Sequence, residues 1–390
     1  MHKLVLKTLI AFICVMVIVG SRVFDADAPK ILVQGLGHEG IISGTVLVSV
    51  RSFDSGSGMG RMTVKVGNTP LTHVGRGLGR QWRLDSTGLP DGHHVLHVSA
   101  QDRAFKPNRV SVEVPIIIDN SGPSIQVDQR SMTVFQGNTW GLLLALDEPA
   151  VSVEVDTPDG PIPMYATTDD FRSYRGLRGF WVEAELGDFP LRIRAVDRFG
   201  NQSEQNVVVQ VKKTKFVYGG LVRLPKRVQK LSRQTDKNQL QRERRAEAYA
   251  VQIDEQLWEG PFIVPTEGRW TSPFGRFRKY NNGESRHHLG MDIANREGTP
   301  VYAANHGKVT RSELQHSFGE VVILGHGHNV SSSYNHLVKR AVVEGEYVKK
   351  GQLVGWMGTT GLSTGPHLHW GMECGGYAVD PEQWLKESFE

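Results

Sequence analysis

Cysteine is scarce in this sequence of 390 residues, which contains only Cys14 and Cys374. Two cysteines exclude a small fold held together by several disulfides and any cysteine-rich zinc finger. Because Cys14 lies in an apolar run near the N-terminus and Cys374 lies near the other end, we expect no disulfide between them.

An excess of charge of one sign is also lacking. The 45 Lys and Arg residues stand against 41 Asp and Glu, which gives a formal net charge of +4. This balance gives no support to nucleic acid as a partner. The chain is 39% hydrophobic and 22% charged, values that argue against disorder. At roughly 100–200 residues per domain, its length predicts two to four domains.

Long apolar runs are absent except near the N-terminus. Thr8–Gly20 carries no charge and follows Lys3 and Lys7. This arrangement fits either a cleaved signal peptide or an uncleaved signal anchor, since a span needs roughly 17–25 residues. Pro29 disfavours cleavage after Ala28, so we interpret residues 1–29 as a membrane anchor. The lysines place the N-terminus in the cytoplasm and the rest of the chain outside it.

Residues 30–212 show short runs with alternating hydrophobicity between turn signals, which predicts β-sandwiches. The predicted strands include Ile42–Val50, Arg61–Val66, His94–Ala100 and Val110–Ile118. Val95–Val114 is similar to Pro190–Val211, with an A-x-D-R turn shared at a period of 95 residues. A period of this length indicates tandem domains.

The turn cluster 119–123 separates these predicted modules into residues 30–120 and 121–212. They resemble the immunoglobulin-like domains of bacterial envelope proteins, and we interpret them as spacers. Asp102 and Asp197 are expected to close turns, with calcium binding as the alternative.

Residues 213–256 form a predicted basic helical linker. Lys212–Arg245 contains twelve Lys and Arg but only Asp236 and Glu243 as acids. Gln229–Ile253 lacks Gly and Pro, which predicts a helix. A solvated linker is the simpler interpretation, and attraction to an anionic polymer is the alternative.

Nine of the 15 histidines lie between His287 and His369. They include three motifs, HLGMDIA (288–294), SYNHL (333–337) and GPHLHW (365–370). His and Asp together suit zinc. On a straight strand His288 and Asp292 would lie about 13 Å apart, so a shared metal requires a bend, which Gly290 permits. His367 and His369 share one face of a strand.

Taken singly, each motif is weak. In this order, H-x-G-x-D, Y-x-H-L and G-P-H-L-H-W resemble the M23 zinc metallopeptidases, the lysostaphin/LytM-like endopeptidases of peptidoglycan. The resemblance extends over Trp258–Trp384. It implies an antiparallel β domain at residues 257–390, with strands near Gly307–Arg311, Glu320–Leu324, Ser331–Asn335 and Leu353–Met357. The chain as a whole is therefore expected to be mainly β, with two immunoglobulin-like modules, a helical linker and this C-terminal domain.

The resemblance also implies the roles of five residues. His288, Asp292 and His369 match the ligands of a catalytic Zn²⁺, and His336 and His367 match the catalytic histidine pair. Two His and one Asp leave zinc an open position for water. The family often has Phe-Gly-x-Arg before the first metal motif. Here Arg276 and Arg278 both follow Phe274-Gly275, so the groove arginine stays open between them.

These features predict an envelope-anchored zinc endopeptidase that cuts peptidoglycan, with the catalytic domain outside the cytoplasmic membrane. Alternatives are a peptidase on envelope proteins, a non-catalytic activator of other wall hydrolases and an adhesin built on residues 30–212. The sequence indicates no particular protein partner.

Overall fold

The computed structural model describes residues 13–14, 25–75, 80–232 and 234–389. The chain divides into two compact units, one reaching to Gly122 and including Asp197–Gln202, the other formed by Pro123–Val196 and Ser203–Glu390. Most of the predicted anchor lies outside the described residues. Within the described ranges, no helix has the length and apolar character needed to span a bilayer.

Ten strands lie in the described part of the first unit, residues 13–14, 25–75 and 80–122. They are β1 (Ile13–Cys14), β2 (Lys30–Gln34), β3 (Ile41–Ile42), β4 (Thr45–Phe53), β5 (Met59–Val66), β6 (Thr69–Pro70), β7 (Thr72–Val74), β8 (Arg80–Asp85), β9 (Gly92–Asp102) and β10 (Arg109–Ile118), with a 3₁₀ turn at His38–Gly40. Two five-stranded sheets, in the orders β1-β2-β4-β8-β7 and β3-β10-β9-β5-β6, enclose a core around Trp82 and Leu96.

The predicted strand Ile42–Val50 is in fact two strands. Ile42 ends β3, which pairs with β10, whereas β4 begins at Thr45 and pairs with β2 and β8 in the other sheet. Gly44 between them has φ +64°, a left-handed conformation that glycine adopts without strain. The chain therefore changes sheets at Gly44.

The second module contains eight strands. They are β11 (Ile125–Val127), β12 (Thr133–Phe135), β13 (Thr139–Leu146), β14 (Ala150–Asp156), β15 (Met164–Ala166), β16 (Ser173–Gly179), β17 (Gly187–Asp197) and β18 (Gln202–Lys212), with a 3₁₀ turn at Gln129–Met132. Its sheets, β11-β13-β16-β15 and β12-β18-β17-β14, enclose a core around Trp140 and Phe180. The immunoglobulin-like character of both modules stays a prediction.

The repeated aspartates close equivalent turns. Asp102 accepts hydrogen bonds from the backbone and side-chain amides of Asn108, at 3.0 and 2.8 Å. Asp197 accepts the same pair from Asn201, at 2.9 and 2.8 Å. Buried carboxylates satisfied in this way explain the shared motif, as the turn-closing interpretation predicts.

The linker contains strand β19 (Tyr218–Val222) and two helices, α1 (Lys226–Ser232) and α2 (Thr235–Tyr249). The prediction of a single helix over Gln229–Ile253 is wrong at both ends. It is also wrong because the structure has two helices in place of one. Gln234 interrupts it with ψ +77°, and the carbonyl of Ile253 accepts a hydrogen bond from the His328 amide instead of one within a helix. α2 packs Ala248 against Val321 and Ile323 of the C-terminal domain, so it is not a fully solvated linker.

The C-terminal domain contains twelve strands and a short helix. They are β20 (Arg269–Ser272), β21 (Phe277–Tyr280), β22 (Ser285–His287), β23 (Met291–Ala294), β24 (Pro300–Tyr302), β25 (Gly307–Gln315), β26 (Gly319–Gly327), β27 (Val330–Arg340), β28 (Tyr347–Val348), β29 (Leu353–Met357), β30 (Leu368–Cys374), β31 (Tyr377–Val379) and α3 (Pro381–Trp384). Its large sheet follows the order β20-β23-β30-β27-β26-β25-β28, while β19, β21 and β22 form a separate sheet. All four strands predicted here overlap observed ones, and the mainly β fold is confirmed.

The second module and the C-terminal domain share packing within one unit. Leu177 of β16 joins the core that contains Trp258 and Trp384. The indole of Trp384 donates to the Thr139 hydroxyl at 2.9 Å, and Gln383 exchanges hydrogen bonds with the Thr139 backbone. Residues well before the C-terminal domain thus contribute to its core.

Candidate metal and catalytic site

The centre of the site lies between two neighbouring strands, β23 and β30. Asp292 and His369 face each other in the antiparallel register. Directly opposed residues project their side chains to the same face of a sheet. His369 Nδ1 consequently lies 3.0 Å from Asp292 Oδ1.

His288 joins this pair because the chain bends before β23. β22 ends at His287, and the bend at Gly290 separates it from β23. His288 Nε2 lies 2.9 Å from both Asp292 Oδ1 and His369 Nδ1. Its Nδ1 lies 3.0 Å from the Pro273 carbonyl oxygen, which fixes a proton on Nδ1 and leaves the Nε2 lone pair directed at the other two groups.

These three side chains form a donor set for a metal ion. Their ligand atoms all lie within 4.8 Å of one another, and His288 and Asp292 are buried. Two imidazole nitrogens and one carboxylate oxygen are the donors of catalytic zinc sites. Three protein ligands leave one coordination position for water or substrate, so the residues present fit a catalytic metal ion.

Electrostatics keeps Asp292 and His369 deprotonated. Burial raises the pKa of Asp292, but its close contacts with the His288 and His369 imidazoles outweigh burial and hold the pKa well below the usual value. Burial lowers the pKa of His369 to about 4. A carboxylate and a neutral imidazole are the forms that bind a metal, so little protonation opposes binding near neutral pH.

His336 reaches the site through a bulge in β27. The register between β26 and β27 shifts around it, and His336 has φ +62°, which is uncommon for a residue with a side chain. Its Nδ1 lies 2.8 Å from the Thr360 carbonyl oxygen, so Nε2 carries the free lone pair. Burial lowers the pKa of His336 to about 3.

His367 completes the cluster from the loop before β30. Its Nδ1 lies 2.8 Å from the Gly365 carbonyl, and its Nε2 lies 3.8 Å from Asp292 Oδ1. The His336 and His367 rings are 4.9 Å apart. The loop 358–365 therefore forms a wall beside the metal donors, and all five predicted residues come together.

Arg278 is the arginine that contacts the donor set. Its guanidinium donates to Asp292 Oδ2 at 2.7 Å and also to the Ser272 hydroxyl. Arg276 instead donates to the Thr271 backbone carbonyl. The motif Phe274-Gly275 left both arginines open, and the structure separates them because Arg276 precedes β21 whereas Arg278 lies within it.

The remaining histidines of the C-terminal third point elsewhere. His287 directs Nδ1 to the Gly275 carbonyl at 2.7 Å. His326 lies in the interior between the His306 carbonyl and the Ser332 hydroxyl, while His328 stacks on Tyr165. Their roles are structural.

Arg245 contacts a residue next to the site, which the sequence did not indicate. It lies on α2 and donates to the Asn335 side chain at 3.1 Å, while Asn335 donates to the His369 carbonyl at 2.9 Å. Arg245 also lies over the Phe318 ring at 4.1 Å. Helix α2 therefore supports the strand that carries His369.

A cavity of about 1490 Å³ contains the five residues. The cavity is lined by the strands that carry Asp292, His336 and His369. It is also lined by α1, α2 and the edge of the second module. Its volume exceeds the roughly 300–1,000 Å³ typical of small-molecule pockets, so it has room for a polymer segment.

Gly290 offers a test of how closely the site is packed. A Cβ at this position would lie 2.7 Å from both Nε2 of His369 and the Trp370 carbonyl oxygen. Gly290→Ala should displace His369 and weaken zinc binding about tenfold to a hundredfold, the range typical of disturbed ligand support. Competition with a zinc-sensitive dye measures this affinity. Gly88→Ala, where the added Cβ meets no neighbour and the backbone is not left-handed, controls for adding a methyl group, and equal affinities for the two variants would contradict the packing argument.

The β fold and the His-His-Asp donor set beside a histidine pair define a metallopeptidase-type domain. Residues 286–381 match the model of peptidase family M23. The resemblance to this family is therefore confirmed for the C-terminal domain.

Several characterised and uncharacterised proteins are similar to this region. A stretch of 137 residues is 40% identical to an uncharacterized metalloprotease of Haemophilus influenzae, covering 34% of this chain and 29% of that protein. The peptidoglycan DD-endopeptidase ShyC of Vibrio cholerae is 38% identical over 99 residues, 25% of this chain and 23% of its own length. The crystal structure of the lysostaphin catalytic domain of Staphylococcus simulans is 33% identical and covers 31% of this chain and 93% of that domain, with a TM-score of 0.28. The chain thus spans less than a third of either full-length relative.

Proposed function

We propose that this protein is a zinc-dependent endopeptidase that hydrolyses peptide bonds in peptidoglycan. One observation carries the proposal: His288, Asp292 and His369 converge as a metal donor set, with His336 and His367 beside them. A non-catalytic activator would have no need of this complete set. The convergence therefore favours an enzyme over the binding-module alternative.

Zinc held by the three donors would supply Lewis acidity to the scissile carbonyl and to a water molecule. His367 acts as general base and later as general acid, because its Nδ1 is held by the Gly365 carbonyl and Nε2 faces Asp292. Because Nδ1 of His336 carries the proton that the Thr360 carbonyl accepts, its Nε2 would accept a hydrogen bond from the attacking water and help His367 to remove the proton. Arg278 holds the Asp292 carboxylate in place.

Peptidoglycan as the substrate is supported by relatives. ShyC is named a peptidoglycan DD-endopeptidase, and a protein of Neisseria meningitidis that is 37% identical over 113 residues is named a DD-carboxypeptidase/endopeptidase. The large cavity provides the room that a cross-linked polymer requires. We accordingly place the catalytic domain outside the cytoplasmic membrane, as the charge distribution around Thr8–Gly20 predicts.

Removal of the metal tests this proposal directly. Treatment with a chelator should abolish digestion of purified peptidoglycan, and one equivalent of Zn²⁺ should restore it, because the donor set stays intact without the ion. Release of soluble muropeptides, separated by chromatography, measures the activity and identifies the bond cut. Digestion that persists in the chelated protein would contradict zinc dependence, and digestion of a protein substrate alone would favour the envelope-protein alternative.

A further inference from the structure

Glu373 lies on the same face of β30 as His369. The two residues are four positions apart on a regular strand, so their side chains project to the same side. At roughly 3.3 Å per residue, their Cα atoms are about 13 Å apart. Glu373 and His369 both line the large cavity, which places Glu373 further along the same groove.

The Glu373 carboxyl is desolvated but unpaired. No hydrogen bond or ion pair reaches its side chain from the described residues. Burial raises the pKa of Glu373 to about 7, although Arg245 opposes this shift. A carboxyl in such a place gains most from a ligand that brings a positive charge, since burial without a partner is unfavourable.

The nearby arginines are committed to other acceptors. Arg245 donates to Gln315 at 3.3 Å, to Asn335 and to the Tyr249 hydroxyl. Arg178, which also lines the cavity, is paired with Asp159. Neither guanidinium donates a hydrogen bond to Glu373, which leaves its oxygens available to a ligand.

A row of small polar groups connects Glu373 to the metal donors. On β27, Ser331 faces Glu373, Ser333 faces Gly371 and Asn335 faces His369. A Cβ at Gly371 would lie 2.8 Å from the Ser333 hydroxyl, so the two strands pack closely at this point. Ser331, Ser333 and Asn335 are buried, so this polar row lies within the sheet and does not line the cavity itself.

We propose that Glu373 forms a subsite for a positively charged amino group on the bound peptide. The amine would lie along the groove from the scissile bond, at a distance that an extended segment of about four residues spans. This inference rests on the proposed peptidase function and adds to it a preference for substrates with a free amine. An ammonium group would donate a charge-assisted hydrogen bond to the Glu373 carboxylate.

The experiment compares purified peptidoglycan before and after acetylation of its free amines. The zinc-loaded full chain should digest untreated wall about tenfold faster than acetylated wall under subsaturating conditions, with the difference mainly in KM. Glu373→Gln, which keeps the shape but removes the charge, should reduce this ratio to near one. Glu267→Gln is the matched control, because Glu267 is exposed and does not line the cavity.

Cosedimentation with the same two wall preparations gives a second readout that does not require cleavage. Stronger binding to untreated wall that is lost in Glu373→Gln and kept in Glu267→Gln supports the subsite, even if no preparation is digested. Absence of digestion by the zinc-loaded protein would instead overturn the proposed function. An unchanged preference in Glu373→Gln, or no preference in the unaltered protein, would overturn the subsite.

Discussion

His369→Ala should abolish peptidoglycan digestion and remove bound zinc. His369 contributes one of three donors, so its loss leaves only His288 and Asp292. Each of these two residues also loses its contact with the His369 ring. Two protein ligands hold zinc far more weakly than three, because catalytic sites rely on a nearly complete protein shell. Metal content by atomic emission, measured with wall digestion, gives both results from one preparation.

His306→Ala is the matched control for this variant. His306 lies outside the donor set, with Nε2 3.7 Å from Glu259, and its loss should leave zinc content and digestion unchanged. Wall digestion by the His369→Ala protein at the normal rate would show that the metal assignment is wrong.

His367→Ala should reduce turnover while zinc stays bound. His367 is not one of the three donors, but its Nε2 lies at the edge of the site, where a general base and acid would act. Removal of such a group typically costs about 10²–10⁴-fold in rate. The expected phenotype is therefore full metal occupancy with kcat reduced by this range and a nearly unchanged KM.

The phenotypes of these two variants separate metal binding from proton transfer. His326→Ala does not serve as a control, because His326 is buried between two hydrogen-bond partners and its loss would destabilise the fold. If His367→Ala loses zinc as His369→Ala does, then His367 is a ligand and the division of roles proposed here is incorrect.

The site could be predicted from the sequence mainly because its motifs are short and local. The H-x-G-x-D spacing required a bend, and Gly290 provides it. The two histidines of H-x-H needed only strand geometry to share a side. What joined these motifs to the third one was the family resemblance, since residue spacing alone does not reveal that β23, β30 and β27 are neighbours.

Other features depend on tertiary contacts and were beyond prediction. His336 reaches the site through a bulge with a left-handed backbone, and no local sequence pattern predicts this conformation. The uniform helical propensity of Gln229–Ile253 gave no sign of its interruption, because the break at Gln234 lets α2 pack on the C-terminal sheet. The sequence does not distinguish Glu373 from other polar residues on strands, because its burial and its place in the cavity lining depend on the tertiary structure.

The hydrogen bond from Trp384 to Thr139 has a consequence for the folding of the chain. With Leu177 inserted in the same core, the second module and the C-terminal domain hold buried surface in common. Elements that share a core tend to lose structure in one cooperative transition. Melting of the second module should therefore coincide with unfolding of the C-terminal domain, so residues outside the M23 match contribute to the thermal stability of that domain.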